Sequence, residues 1–152
     1  MSNKKNKTGR RIFVLINYFF LLVMNVSFHF VHNNREMSHL VDVLGITSLG
    51  IVAVTFVLGF MKSGLWKLTH TRTAILDERQ LQVTHHAISR AYGIFAIVCL
   101  VIMLMHAVFY RLVPGADFII TVPLAVSLIY LAHTLPAAIL TWTETDVPGD
   151  LQ

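Results

Sequence analysis

The sequence predicts an all-α polytopic membrane protein, a bundle of four transmembrane helices arranged as two antiparallel hairpins. Of its 152 residues, 55% are hydrophobic and only 13% are charged, whereas a soluble domain carries about a quarter charged residues. The mean hydropathy is +0.66, and the apolar residues gather in four long segments. This composition excludes a water-soluble globule and a disordered chain, and the single cysteine excludes a disulfide scaffold.

The four apolar segments are each long enough to cross a bilayer. They cover residues 12–31, 40–61, 91–110 and 118–142, and a hydrocarbon core of about 30 Å needs about 20 residues at about 1.5 Å per residue. Because no water is present there to pair with peptide groups, each segment is predicted to be a helix. The outer connections, 32–39 and 111–117, are short, so consecutive helices are predicted to be antiparallel neighbours.

The distribution of lysine and arginine predicts the orientation. Ten of the twelve lie in the N-terminal tail or between residues 62 and 90, and only Arg35 and Arg111 lie in the other two connections. Both termini and the loop between the second and third spans are therefore expected in the cytoplasm. The predicted organisation is a basic tail (1–11), a transmembrane domain (12–142) with a cytoplasmic segment (62–90), and an acidic tail (143–152). The excess positive charge indicates contact with lipid headgroups, and nucleic acid is not an expected partner.

The third helix is predicted to begin in the cytoplasm, before its membrane span. Asp77 and Gln80 have the spacing of a capping box, and Glu78 favours a helix N-terminus. No proline follows until Pro114, so the helix is expected to project two to three turns from the bilayer. We predict that Asp77, Glu78, Arg79 and Gln80 form a helix cap and a surface for a protein partner.

Residues 76–93 read Leu-Asp-Glu-Arg-Gln-Leu-Gln-Val-Thr-His-His-Ala-Ile-Ser-Arg-Ala-Tyr-Gly and lead directly into the third span. This run resembles the Asp-Glu-Arg motif of an uncharacterised family of small bacterial four-span membrane proteins, in which such a motif opens the third helix. The resemblance implies the four-span architecture. It implies no activity, and it does not extend to the His85-His86 pair.

Two intramembrane histidines are candidate cofactor ligands. His29 and His106 are predicted at the same depth in the outer leaflet, and imidazoles on facing helices at equal depth are the arrangement that a b-type haem requires. A quinone contact is an alternative role for the pair. The simpler interpretation is that both are interfacial histidines with hydrogen-bond partners or access to headgroups.

A divalent metal site is a further alternative near the same end of the bundle. Imidazole and carboxylate groups suit zinc or copper, and the available groups there are His29, His32, His39, Asp42 and His106. Their spacing matches no ligand motif, so no metal site is predicted.

Polar side chains also recur along the faces of the first and fourth helices. Tyr18, Asn25, His29 and His32 follow one face of the first helix, and Tyr130, His133, Thr134 and Thr141 follow one face of the fourth. Such faces can line a path for solute, or they can form hydrogen bonds between helices. The second interpretation is favoured because no acidic residue lies at the mid-plane. On the second helix, Gly45, Ser48, Thr55 and Gly59 form a stripe of small residues that permits close helix contact.

The function predicted from these features is that of a non-enzymatic membrane protein, an accessory or regulatory subunit that acts through its cytoplasmic helix and loop. A protein partner or a second copy of the chain is expected. No catalytic motif of the Ser-His-Asp, Gly-rich phosphate-loop or His-Glu-x-x-His type occurs. The alternatives are a redox subunit with one b-type haem or quinone between His29 and His106, and a small dimeric transporter or channel.

Overall fold

The described part of the chain is entirely helical. A computed structural model describes residues 2–33, 38–62, 65–70, 78–112 and 122–143, and no strand occurs in these ranges. The helices are α1 (Ser2–Asn33), α2 (Ser38–Phe56), α3 (Leu65–His70), α4 (Glu78–Leu112) and α5 (Val122–Thr143). A π-helical turn (Val57–Met61) continues α2, and the amide of Lys62 closes it by donating to the carbonyl of Val57.

Four of these helices are long and apolar enough to cross a membrane, as predicted. The membrane-compatible stretches are Thr8–His29, His39–Met61, Glu78–Val108 and Val122–Thr143. Helix α1 extends further towards the N-terminus than expected, because the predicted basic tail is helical from Ser2 onward. The predicted start of the fourth span (118–121) and residues 144–152 of the predicted acidic tail lie outside the described residues, while Thr143 ends α5.

Helices α1 and α2 form the most closely packed pair. The buried residues of each recur three or four positions apart, which is the spacing of one helix face. At Gly59 the packing against α1 leaves little room for a side chain, because a Cβ atom built there would lie 3.1 Å from Cβ of Phe13. The predicted stripe of small residues on α2 is confirmed as the face that packs on α1. The two buried rows are Val14, Asn17, Leu21, Met24 and Ser27 on α1, and Gly45, Ser48, Val52, Thr55 and Gly59 on α2.

Helix α5 lies between α1 and α4. It packs along α4 and also along α1, whereas α1 and α4 share no extensive interface among the described residues. The start of α1, the π-helical turn, α3, the start of α4 and the end of α5 meet at one end of the bundle, which we call the basic end. Its apolar core consists of Val14, Phe60, Ala87, Ala137, Ala138 and Leu140.

Helix α4 is the least buried of the four long helices. Its 35 residues extend about 52 Å at about 1.5 Å per residue, and the chain buries only 6% of its most apolar window. The buried positions are Thr84, Ala87 and Ala91, all near the basic end. Beyond them, large apolar side chains such as Ile97 and Leu100 are about two thirds exposed (64% and 65%). The outer side of α4 is therefore available to lipid or to another protein.

Candidate functional site

A buried hydrogen-bond network joins three helices around Asn17. This α1 side chain is fully buried, and its Nδ2 donates to the carbonyl of Val52 and to Oγ1 of Thr55, both at 2.9 Å. Its Oδ1 accepts from the hydroxyl of Tyr130 on α5, also at 2.9 Å. Because each amide group has a partner on another helix, Asn17 connects α1, α2 and α5 without leaving a polar group exposed to hydrocarbon.

Two further contacts between α1 and α5 extend this network along the bundle. The Tyr18 hydroxyl donates to Oγ1 of Thr134 at 3.2 Å. Farther along, Nδ2 of Asn25 donates to Oγ of Ser127 at 2.7 Å. The prediction that these α1 residues form hydrogen bonds between helices is confirmed for Tyr18 and Asn25. A path for solute along the same faces stays a prediction.

Asn17 is not among the residues predicted from the sequence to be functional, although the sequence holds a signal for it. Residues 14, 17, 21 and 24 follow the alternating three- and four-residue spacing of a helix-packing seam, and Asn17 is the polar member of that row. A polar residue within an apolar seam requires a partner on the facing helix. One of those partners is the backbone carbonyl of Val52, which no side-chain pattern could reveal.

At the basic end, Arg11 contacts the final turn of α5. Its Nη2 donates to the carbonyl of Trp142 at 3.2 Å and its Nε to the carbonyl of Thr141 at 3.5 Å. The guanidinium also lies 4.7 Å from the centre of the Trp142 ring, within the range of a cation–π contact. A cation at this position satisfies carbonyls that have no partner within the helix and offsets the negative end of its dipole.

Helix α3, in the connection between α2 and α4, packs at the basic end. Its Trp66 packs edge-on against Phe56, with ring centres 5.1 Å apart, and stacks with His70 at 4.0 Å. The Nδ1 of His70 lies 2.9 Å from the carbonyl of Trp66. The first part of the predicted cytoplasmic segment is thus packed against the bundle through an aromatic cluster.

The start of α4 carries the predicted partner surface. Glu78 and Arg79 are exposed and Gln80 is half-buried, while Asp77, the predicted cap, lies outside the described residues. The helix begins at Glu78, directly after the predicted cap. Thr84 and Ala87 are buried. The start of α4 therefore packs on the bundle through one face and presents its charged residues on the other.

The structure does not place the two candidate haem ligands on helices that pack together extensively. His29 on α1 and His106 on α4 are both half-buried. Helix α1 packs mainly against α2 and α4 mainly against α5, and α1 and α4 share no extensive interface among the described residues. Their predicted roles as cofactor ligands stay predictions.

The other groups near that end are spread out. Asp42 is half-buried and His39 is exposed, while the side chain of His32 lies outside the described set. Within the described ranges, no three His, Cys, Asp or Glu residues are close enough together to hold a metal ion.

His133 lies near the middle of α5, on an exposed side of the helix. Its Nδ1 is 2.8 Å from the carbonyl of Ile129. A carbonyl oxygen only accepts, so Nδ1 carries the proton, and in the neutral imidazole Nε2 keeps its lone pair. The residue therefore presents a hydrogen-bond acceptor on the outside of the bundle, in the middle of a membrane-compatible helix.

A cleft of about 230 Å³ opens at the basic end between the start of α4 and the end of α5. Basic and apolar side chains line it, and none of the described lining residues is acidic. These residues are Val83, His86, Ala87, Arg90, Ile139 and Thr143.

No family model, curated protein or solved structure matches the chain. The resemblance of residues 76–93 to the small four-span family therefore stays a prediction.

Proposed function

We propose that this protein is a non-enzymatic accessory or regulatory subunit of a bacterial inner membrane, and that it binds a protein partner through the start of α4. The observation that carries the proposal is the two-sided character of this helical segment. Glu78 and Arg79 are exposed, while Thr84, Ala87 and Ala91 fix the opposite face against the bundle. An exposed charged surface on a rigid support suits specific recognition, because charge complementarity determines which partner binds.

The intramembrane polar groups support a scaffold role. Three α1 side chains donate hydrogen bonds to hydroxyl groups on neighbouring helices, namely Asn17, Tyr18 and Asn25. These groups hold the bundle together, as polar residues between membrane helices commonly do. A supporting subunit needs this stability and needs no reactive centre.

The exposed side of α5 supports contact with a second protein inside the bilayer. An ionisable side chain facing hydrocarbon is costly, so such residues usually face protein or water. His133 is exposed in the isolated chain and has an acceptor atom available at Nε2. A donor from a partner helix would satisfy that atom, and the same assembly would cover part of the apolar side of α4.

Charge reversal at Arg79 tests the proposal. With Arg79→Glu, we expect recovery of the partner to fall roughly tenfold or more, because like charges would replace a complementary contact worth about 1.4 kcal/mol. The measurement is crosslinking in native membranes, followed by affinity purification and quantitative mass spectrometry against the unmodified chain.

The matched control is Arg111→Glu, which makes the same charge change in the last turn of the same helix. We expect this variant to recover the partner at the original level. Equal recovery with both variants, or the absence of any protein enriched above an unrelated membrane protein, would contradict the proposal. Membrane insertion of each variant is checked by resistance to alkaline extraction.

A further inference from the structure

We propose that the cleft between α4 and α5 at the basic end binds the headgroup phosphate of an anionic phospholipid. This inference is independent of the protein partner, because it concerns the bilayer itself. It assigns Arg90 and His86 to the phosphate, and the apolar walls of the cleft to the adjoining part of the lipid.

The cationic groups of the cleft lie on one helix face. Arg79, Val83, His86 and Arg90 are spaced by four, three and four residues, so they line the same side of α4. His86 and Arg90 line the cleft itself, and both are exposed. Arg79 continues the row beyond it. Guanidinium and imidazole groups donate hydrogen bonds to phosphate oxygens, and a guanidinium can do so through two parallel bonds.

The remaining walls suit the lipid part of the ligand. Val83, Ala87 and Ile139 provide an apolar surface beside the cationic row. The Thr143 hydroxyl already donates to the carbonyl of Ile139 at 3.1 Å, so the proposed recognition relies on Arg90 and His86. A small soluble anion would leave the apolar wall uncovered, whereas a phospholipid would cover both kinds of surface.

The end of α5 would normally oppose an anion, because a helix C-terminus is negative. Here Arg11 donates to the carbonyls of Thr141 and Trp142. This contact offsets the negative end of α5 beside the cleft.

Aromatic residues place the cleft at the level of lipid headgroups. Tyr92 lies two residues beyond Arg90 and is 75% exposed, and Trp142 adjoins Thr143 and is 47% exposed. Tyrosine and tryptophan are enriched at membrane interfaces, where their rings span the boundary between hydrocarbon and water. A phospholipid phosphate occupies the same level of the bilayer.

Native mass spectrometry of the full chain in detergent tests the site. The protein is titrated with phosphatidylglycerol and, separately, with phosphatidylcholine of the same acyl chains. We expect tighter binding of phosphatidylglycerol, and a loss of about fivefold in its affinity for Arg90→Gln, the value of one basic residue near anionic lipid. His86→Gln is expected to weaken binding in the same direction, whereas Arg111→Gln, at the other end of α4, is expected to bind as the original chain does.

A competition arm separates a lipid from a free anion. Inorganic phosphate at millimolar concentration is added to the complex with phosphatidylglycerol, and we expect the lipid to stay bound. Displacement by phosphate, equal affinity for the two lipids, or unchanged affinity in Arg90→Gln would each overturn the proposal. Thermal unfolding in the same detergent verifies that the variants remain folded, so that a loss of lipid is not a loss of structure.

Discussion

Asn17 makes three hydrogen bonds to neighbouring helices. Its two donated bonds reach α2 and its accepted bond comes from α5. Hydrogen bonds between membrane helices contribute about 0.6 kcal/mol on average, with a maximum of about 1.7 kcal/mol. Three bonds at one buried residue therefore place a sizeable part of the bundle's stability at a single position.

Asn17→Leu is expected to destabilise the bundle by roughly 2 kcal/mol, the sum of three average interhelical bonds. Leucine retains an apolar side chain in the seam but leaves the Tyr130 hydroxyl without this acceptor. Reversible unfolding by SDS in mixed micelles measures the change in the free energy of unfolding. Asn25→Leu is the control, since it removes one interhelical bond, to Ser127, and we expect roughly 0.6 kcal/mol from it. Equal effects from the two substitutions would contradict the central position of Asn17.

At the residue scale, the sequence pattern predicts only part of the interhelical hydrogen-bond network. The helical spacing placed Tyr18 and Asn25 on one polar face of α1, and both donate to hydroxyl groups of α5. Asn17 was missed because it is offset by about 100° around the helix from Tyr18, on the face towards α2. The packing of the whole bundle determines which helix faces meet. The pattern of polar residues along one helix does not reveal this.

At the element scale, the contact between α1 and α2 depends on the absence of a side chain at Gly59. A Cβ atom there would lie 3.1 Å from Cβ of Phe13, closer than an ordinary carbon–carbon contact of about 3.5–4.0 Å. Gly50 on the same helix has no atom within 4 Å of the equivalent position. The two glycines therefore have different roles in one helical hairpin.

Gly59→Leu is expected to lower the free energy of unfolding by about 1–3 kcal/mol, the usual cost of inserting extra volume into a packed contact. Gly50→Leu is its matched control and should leave stability nearly unchanged, because the new side chain would face open space. The same SDS titration measures both variants. A loss of stability at Gly50 as large as at Gly59 would contradict the role assigned to the close contact with Phe13.

The existence and type of the long elements followed from hydropathy alone. Length and apolar content predict four helical spans, because a segment inside a bilayer must satisfy its backbone hydrogen bonds internally. The small residues of α2, including Gly45 and Thr55, also indicated the packing face correctly. The π-helical turn and α3 were not predicted, because their formation depends on the packing of Phe60 and Trp66 into the core of the basic end.

At the scale of the whole molecule, the order of the helices around the bundle decides which side chains can meet. Equal depth alone made His29 and His106 candidates for a shared cofactor. The depth of a residue in the membrane follows from the sequence, since each helical residue adds a fixed rise. Which helices become neighbours depends on how all of their faces pack together. With α5 packed on both α1 and α4, the described residues form no extensive α1–α4 interface for a planar cofactor.

We therefore expect the detergent-purified protein, from cells supplied with haem precursor, to show no haem absorption. Oxidised and dithionite-reduced spectra provide the measurement. A Soret band that shifts on reduction and disappears in both His29→Ala and His106→Ala would contradict this expectation and favour the redox alternative. A band that persists in both variants would place a haem elsewhere in the protein.

The links between α1 and α5 also impose an order on biosynthesis. Val52 follows Asn17 by 35 residues, but Tyr130 follows it by 113. At about 5–20 residues per second, the ribosome supplies the first partner within several seconds and the second only after roughly 6–23 s. The first hairpin can therefore assemble while the rest is still being translated. Arg11 must wait longer still for the carbonyls of Thr141 and Trp142, so the nascent bundle closes only when its last helix leaves the translocon.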